Sequence, residues 1–242
     1  MFVKKFLLLL VVIFISFMAT SCNQDDSNAN SPSDFEYTID ENNITITKYI
    51  GESVEVIIPA KIEGKKVTKI EEYAFVDWSS YKKYSWVTSV IIPNSVTTID
   101  DLAFTGCYSL TNITIPNSVT TIGDFAFEDC RSLIEVIIPN SVKTIGNGAF
   151  DNCGLLINVI IPDSVTTIGA ETFRNCRSLT SVTISANVKI IEYGLFADCH
   201  LLTDVIIPDS VTIINDTAFW NCSALSDETI KRILQINPQY FN

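Results

Sequence analysis

Six cysteines are the first candidates for chemistry in this sequence, because they recur at a fixed spacing of 23 residues. They are Cys107, Cys130, Cys153, Cys176, Cys199 and Cys222. Thiols ligate zinc and form disulfides, but none of the six has the local C-x-x-C partner typical of a zinc site. If turns stack about 5 Å apart with parallel side chains, their Cβ atoms are also about 5 Å apart, beyond the usual disulfide range of ~3.5–4.5 Å. We therefore predict buried free thiols and no metal site.

The remaining chemically active residues form no catalytic arrangement. His200 is the only histidine, and the residues at multiples of 23 positions from it are Tyr108, Arg131, Gly154 and Arg177, so this position varies between repeats. The residue before each repeated cysteine is Gly, Asp or Asn. Such residues could hold calcium, but they more often bond to backbone groups. With no nucleophile–base pair and no phosphate-binding loop in a supporting context, we predict no catalytic residues, no cofactor and no enzymatic activity.

Composition narrows the class of partner. The 242-residue chain has a formal net charge of −12, with 47% hydrophobic and 18% charged residues. A polyanion is repelled by such a charge, so we do not expect nucleic acid as a partner. The hydrophobic content is typical of a folded chain.

The N-terminus has the order of a secretory signal. Lys4 and Lys5 precede an apolar run from residue 6 to residue 18, and small residues follow. Ala19-Thr20-Ser21-Cys22 resembles a bacterial lipobox, which implies a signal peptide over 1–21 and acylation of Cys22. The acidic residues after Cys22 resemble the surface-export signal of Bacteroides-type lipoproteins. We therefore expect an exported protein, lipid-anchored to the bacterial outer membrane and exposed at the surface, with a flexible linker over 22–34.

The elements that position the cysteines form a repeat with a period of 23 residues. Phe104, Phe127, Phe150, Phe173, Phe196 and Phe219 share the spacing of the cysteines. Such a period predicts a solenoid in which each turn buries its apolar residues only against its neighbours. Alternating residues predict a β-hairpin cap over 35–50, and an amphipathic run predicts a helical cap over 226–242. The repeat domain then spans 51–225, with insertions between Pro59 and Pro93.

The repeat resembles a known family. Leu110-x-x-Ile113-x-Ile115 is similar to the strand of leucine-rich repeats, and the following Pro-Asn-Ser-Val, Ile-Gly, Ala-Phe and Cys segments resemble the BspA-like subclass of bacterial surface proteins. The resemblance implies a curved, right-handed, mainly β solenoid with one short parallel strand per turn. It also implies adhesion to host proteins, or contact between cells, as the class of function.

Two candidate binding sites follow from this reading. The first is the outward face of the strands, which we expect to be concave and to carry an aliphatic stripe beside a polar one. Its residues are Ile91, Thr114, Glu135, Ile137, Asn158, Ile160, Thr183, Asp204 and Ile206. The second is an aromatic insertion with Trp78, Tyr81, Tyr84 and Trp86. Those rings could stack on sugars, but we favour packing against the first turn.

We predict a cell-surface binding protein that takes a host extracellular or envelope protein as partner. An envelope scaffold that associates with itself through the isoleucines is the first alternative. A glycan-binding accessory lipoprotein using the aromatic insertion is the second.

Overall fold

The chain folds as a solenoid, a stack of coils that each contribute short β-strands. A hairpin closes one end of the stack and a helix closes the other. The computed structural model describes residues 28–76 and 86–241. After a 3-10 helix (Pro32–Asp34), the strands in chain order are β1 (Phe35–Asp40), β2 (Asn43–Tyr49), β3 (Glu55–Ile57), β4 (Lys61–Ile62), β5 (Lys65–Ile70), β6 (Ser89–Ile91), β7 (Thr98–Ile99), β8 (Asn112–Thr114), β9 (Thr121–Ile122), β10 (Thr144–Ile145), β11 (Asn158–Ile160), β12 (Thr167–Ile168), β13 (Ser181–Thr183), β14 (Ile190–Ile191), β15 (Asp204–Ile206) and β16 (Ile213–Ile214). One helix, α1 (Asp227–Ile236), follows them.

Two parallel ladders run along the stack. The first ladder consists of the three-residue strands β3, β6, β8, β11, β13 and β15. The second consists of β5, β7, β9, β10 and β12 and, after a break in pairing, β14 and β16. From β6 onward the paired residues of both ladders lie 23 apart in sequence, as in Val90 with Ile113 and Ile99 with Ile122. The sequence period is therefore the register of the ladders.

The core forms because each turn repeats the same inward apolar positions. Val136, Ile138, Val142, Ile145 and Phe150 are at most 5% exposed, and their equivalents in the other turns are buried as well. The phenylalanine rings stack in one column, here called the aromatic column, which the hairpin extends with Tyr49 and the C-terminal segment with Tyr240. Successive centroids from Tyr49 to Tyr240 lie 4.6–6.1 Å apart. Such offset contacts add to the burial of the rings.

The N-terminal hairpin closes the second ladder. Strands β1 and β2 pair antiparallel, and β2 pairs parallel with β5. Asn30 pairs with the free edge of β3, the first strand of the first ladder. The Ile57 N–H donates to Asn30 Oδ1 at 2.8 Å, and the backbone N–H of Asn30 donates to the Ile57 carbonyl at 2.9 Å. Strands β4 and β5 form a small antiparallel hairpin around Gly64, which is the insertion predicted after Pro59.

The helix α1 closes the C-terminal end. Ser226 caps it by accepting a bond from the Thr229 N–H. Thr229 Oγ1 accepts from the Val205 N–H at 3.1 Å, and Asn237 Nδ2 donates to the Ile214 carbonyl at 3.2 Å. The helix thus supplies side-chain partners to backbone groups of both last strands.

These observations confirm the predicted fold: a mainly β solenoid with a 23-residue period, a hairpin at its start and a helix at its end. The second strand in each turn was not predicted. The bonds of Asn30 mean that a flexible linker, proposed for 22–34, would have to end before this residue. The predicted signal peptide and Cys22 lie outside the described residues.

Candidate functional site: the strand face

The strand face is formed by the first-ladder side chains that point away from the core. In each strand the central residue is buried, as Val159 is, while its two neighbours point outward. Ile137, Ile160 and Ile206 are 55%, 58% and 62% exposed. Thr114 is exposed, and Ile91 and Thr183 are half-buried. The structure therefore places the predicted stripe on one face, where two threonines interrupt it.

A second set of exposed isoleucines widens the apolar area. Ile134 and Ile157, at the position before the polar outward residue, are 47% and 42% exposed. Together with Ile137 and Ile160 they form a patch, here called the isoleucine patch, across two adjacent turns. Sequence reasoning missed Ile134 and Ile157. Their exposure could have been predicted, because neighbouring repeats carry the polar residue threonine at this position, as in Thr111 and Thr180.

Polar residues run beside the isoleucines. Glu135, Asn158 and Asp204 are exposed. Ser181 Oγ donates to Asn158 Oδ1 at 2.7 Å, and Thr203 Oγ1 donates to Asp204 Oδ2 at 3.0 Å. Several polar groups on this face are therefore held by neighbours in the same or the next turn. Glu135 and Asn158 lie between the isoleucines of the patch in sequence, so the strand face mixes apolar and polar side chains, as protein contact surfaces do.

The first ladder is interrupted at the isoleucine patch. Residues 135–137 form no regular strand and join the next turn by a single bridge, from Glu135 to Asn158. The ladder is thereby divided into one sheet of β3, β6 and β8 and another of β11, β13 and β15. The N–H groups of Ile92, Ile161 and Ile184 each donate to the next turn, at 3.0–3.3 Å. Within the described residues, Ile115 and Ile138 lack this bond.

The six repeated cysteines are free thiols, as predicted; five of them are buried, whereas Cys222 is half-buried. Each thiol donates to the carbonyl of a phenylalanine in the preceding turn, as from Cys153 to Phe127 at 3.3 Å. The two residues are 26 apart in sequence in every case but the first, where Cys107 donates to Phe75, 32 residues earlier. Burial raises the pKa of the Cys130, Cys153, Cys176 and Cys199 thiols well above the usual range. It raises the pKa of the half-buried Cys222 to about 12. These thiols are therefore protonated at neutral pH and are poor nucleophiles.

The residues before the cysteines shape the backbone. Gly106, Asp129, Asn152, Asn175, Asp198 and Asn221 all have φ between 56° and 71°. Gly, Asn and Asp tolerate this left-handed conformation best. Asn152 Nδ2 donates to Asp129, and Asn221 Nδ2 donates to Asp198 at 2.8 Å, so these side chains also link successive turns. His200 Nδ1 lies 3.1 Å from the Asn221 carbonyl oxygen, without a carboxylate in that contact.

Of the aromatic insertion, only Trp86 is described. It is half-buried and packs against the core, which agrees with packing for this one ring. Trp78, Tyr81 and Tyr84 lie outside the described residues, so their role stays a prediction.

Comparison with known proteins places the repeat in a family. The family described as BspA type leucine-rich repeat region matches in six copies, over residues 45–155, 68–200 and 143–242. A leucine-rich repeat protein of T. pallidum is 31% identical with a TM-score of 0.81, and the match covers 86% of this chain and 96% of that one. A leucine-rich repeat protein of Bacteroides ovatus is 30% identical with a TM-score of 0.70, covering 79% of this chain and 50% of that one.

Two further comparisons bear on the chain. No curated protein matches it significantly. Over residues 28–76 and 86–241, the structure has no helix of the length and apolarity needed to cross a membrane.

Proposed function

Because this chain belongs to the family of BspA-type leucine-rich repeat proteins, we propose that it is a non-enzymatic binding protein of the bacterial cell surface. Its partner, a host extracellular or envelope protein, contacts the strand face. Lipid anchoring through Cys22 to the outer membrane belongs to the same proposal.

The isoleucine patch is the observation that carries this proposal. Ile134, Ile137, Ile157 and Ile160 are 42–58% exposed and lie on adjacent turns. Scattered exposed isoleucines are ordinary, but several on adjacent turns with polar side chains among them are typical of contact sites. The buried, protonated thiols give no support to a catalytic role.

A double substitution at the patch tests the contact. We expect Ile137→Asp with Ile160→Asp to weaken binding to the protein partner at least ten-fold, because two charges then replace apolar contacts at the centre of the interface. Immobilised host matrix proteins and extracts of the bacterial envelope are the two sources of partner. Surface plasmon resonance measures the affinity for each protein that binds.

Ile213→Asp is the matched control. Ile213 is 48% exposed but belongs to the second ladder, so this variant has the same chemistry away from the patch. Equal binding by the patch variant and the control would rule out the strand face. Sedimentation of the same variants separates the scaffold alternative, in which the patch variant loses self-association instead.

Protease shaving of intact cells tests the location. A surface lipoprotein is cleaved before the cells are broken, and Cys22→Ala releases it from the membrane fraction. Resistance to shaving until lysis would place the protein inside the envelope and remove host adhesion from consideration.

A further inference from the structure

In each turn a bend follows the cysteine, and a single cleft opens along these bends beside Gly154. Arg131, Asn152, Gly154 and Arg177 line it, and its volume is about 370 Å³. The two arginines and Gly154 occupy the same position in three consecutive turns. Stacked turns are about 5 Å apart, so the arginine Cα atoms are separated by about 10 Å across the glycine. We call this cavity the arginine cleft.

The cleft exists because Gly154 interrupts a column of large side chains. The equivalent residues in the other turns are Tyr108, Arg131, Arg177, His200 and, in the last turn, the small Ser223. A Cβ atom added at Gly154 would meet nothing within 4 Å. No positive φ is recorded for this glycine, so its backbone does not call for glycine. The absence of a side chain at Gly154 therefore leaves a gap between the two arginines. The backbone conformation of the turn does not require glycine at this position.

Both guanidinium groups keep free donors. Arg131 uses Nε and Nη2 to bond Asp129 Oδ1 at 3.1 and 3.0 Å, and its Cζ lies 4.8 Å from the centre of the Tyr108 ring. Those two bonds leave three of the five N–H groups of Arg131 available. In the described part of the chain Arg177 has no carboxylate partner, whereas Arg174 pairs with Glu171 and Arg232 pairs with Asp209.

We propose that the arginine cleft binds an oxyanion group, a phosphate, sulfate or carboxylate, between the guanidinium groups of Arg131 and Arg177. Guanidinium offers paired N–H donors that match the oxygens of such groups. The contacts of Arg131 with Asp129 and Tyr108 hold its side chain in place, which lowers the entropy lost on binding. The site is separate from the strand face and does not depend on the function proposed there.

Titration with inorganic phosphate, sulfate and acetate tests the site on the intact protein. Chloride is exchanged for each anion at constant ionic strength, so that general screening stays fixed. The signals of the arginine Nε–H groups in ¹⁵N-resolved NMR report the binding. We expect saturable shifts at Arg131 and Arg177, and the order of affinity among the three anions identifies the preferred head group.

Four variants decide between the cleft and non-specific attraction. Arg177→Gln and Gly154→Tyr, which fills the gap with the side chain found at Tyr108, should each weaken binding at least ten-fold. Gly154→Ala keeps the cleft open, and Lys143→Gln removes a surface charge elsewhere, so both should bind as the unmodified protein does. Shifts that do not saturate, or that are equal in all four variants, would overturn the proposal.

Discussion

At the scale of single residues, the repeated cysteine completes the bonding of a buried carbonyl. The Phe127 carbonyl accepts from the Cys130 N–H of its own turn at 3.2 Å and from the Cys153 thiol of the next turn at 3.3 Å. A carbonyl oxygen has two lone pairs, and here both are used. Donor thiol and acceptor carbonyl are 26 residues apart here, so the bond links neighbouring turns. Cysteine is small enough for this buried position and supplies a weak donor, which explains why it recurs there.

The thiols should resist modification in the folded protein. We expect iodoacetamide at pH 8 to label Cys222 first and slowly, because it alone among the six is half-buried and its pKa is raised to about 12. The other five should react only after unfolding. Peptide mass spectrometry after alkylation without reductant measures each site. Unlabelled pairs in the unfolded protein would instead indicate disulfides.

Asp151 should make stability depend on pH. One of its oxygens, Oδ1, is buried and has no hydrogen-bond partner in the described part of the chain. Burial raises the pKa of this carboxyl from 3.8 to about 6, against the opposing effect of Arg174. The folded state therefore holds the proton more tightly than the unfolded chain. The resulting stability is fully present below about pH 4 and is lost as pH rises to about 6.

Asp151→Asn should remove that penalty. We expect the variant to be more stable than the parent by about 1 kcal/mol at pH 7.5, a value reduced for the partial exposure of the group, and no more stable at pH 4. Urea unfolding at the two pH values measures the difference. Asp40→Asn, at an exposed hairpin position, is the control. A loss of stability at pH 7.5 would show that the carboxylate is stabilising there.

At the scale of elements, the period predicted most of the architecture, but the two ladders differ in what a sequence reveals. The strands of the first ladder could be predicted from the sequence, because outward residues alternate with a buried one such as Val159. From β7 onward the strands of the second ladder are only two residues long, as in Thr144–Ile145, which is too short for alternation to show. The interruption at 135–137 has no local signal either, since Glu-Val-Ile there resembles the Asp-Val-Ile of the intact strand β15.

The interruption should appear in hydrogen exchange. We expect the amides of Ile115 and Ile138 to exchange at least about ten-fold faster than those of Ile161 and Ile184, because only the latter pair donate to a neighbouring turn. NMR-detected exchange of the native protein resolves the four sites. Equal protection of all four would mean that the first ladder is continuous in solution.

At the scale of the whole molecule, stability is a sum of contacts between neighbouring turns. The caps matter because they contact the first and last turns directly. Tyr240 is the clearest case at the C-terminal end: its hydroxyl accepts the Phe219 N–H at 2.6 Å and its ring meets the end of the aromatic column. The predicted caps were recognisable from their patterns, whereas a single asparagine such as Asn30 gave no periodic signal of its bonds to Ile57.

Loss of one cap contact should therefore have a local effect. We expect Tyr240→Phe to lower the local stability of the last turn by about 1 kcal/mol and leave the first turn unchanged. Hydrogen exchange read by mass spectrometry compares segments 217–225 and 54–70. Tyr37→Phe is the control, because the Tyr37 hydroxyl bonds Glu63 at an exposed site and contributes little. Uniform loosening along the stack would indicate one cooperative unit.

The aromatic column has a consequence for how such a protein changes in length. Each of its inner rings meets one ring above and one below, with similar spacing at every step from Phe104 to Phe219. The contacts of an inner turn, in the column and in the ladders, are therefore independent of the total number of turns. Duplication or deletion of one 23-residue segment of the gene would therefore give a longer or shorter protein with the same two ends. The binding surface could then gain or lose rows of side chains without a new fold having to evolve.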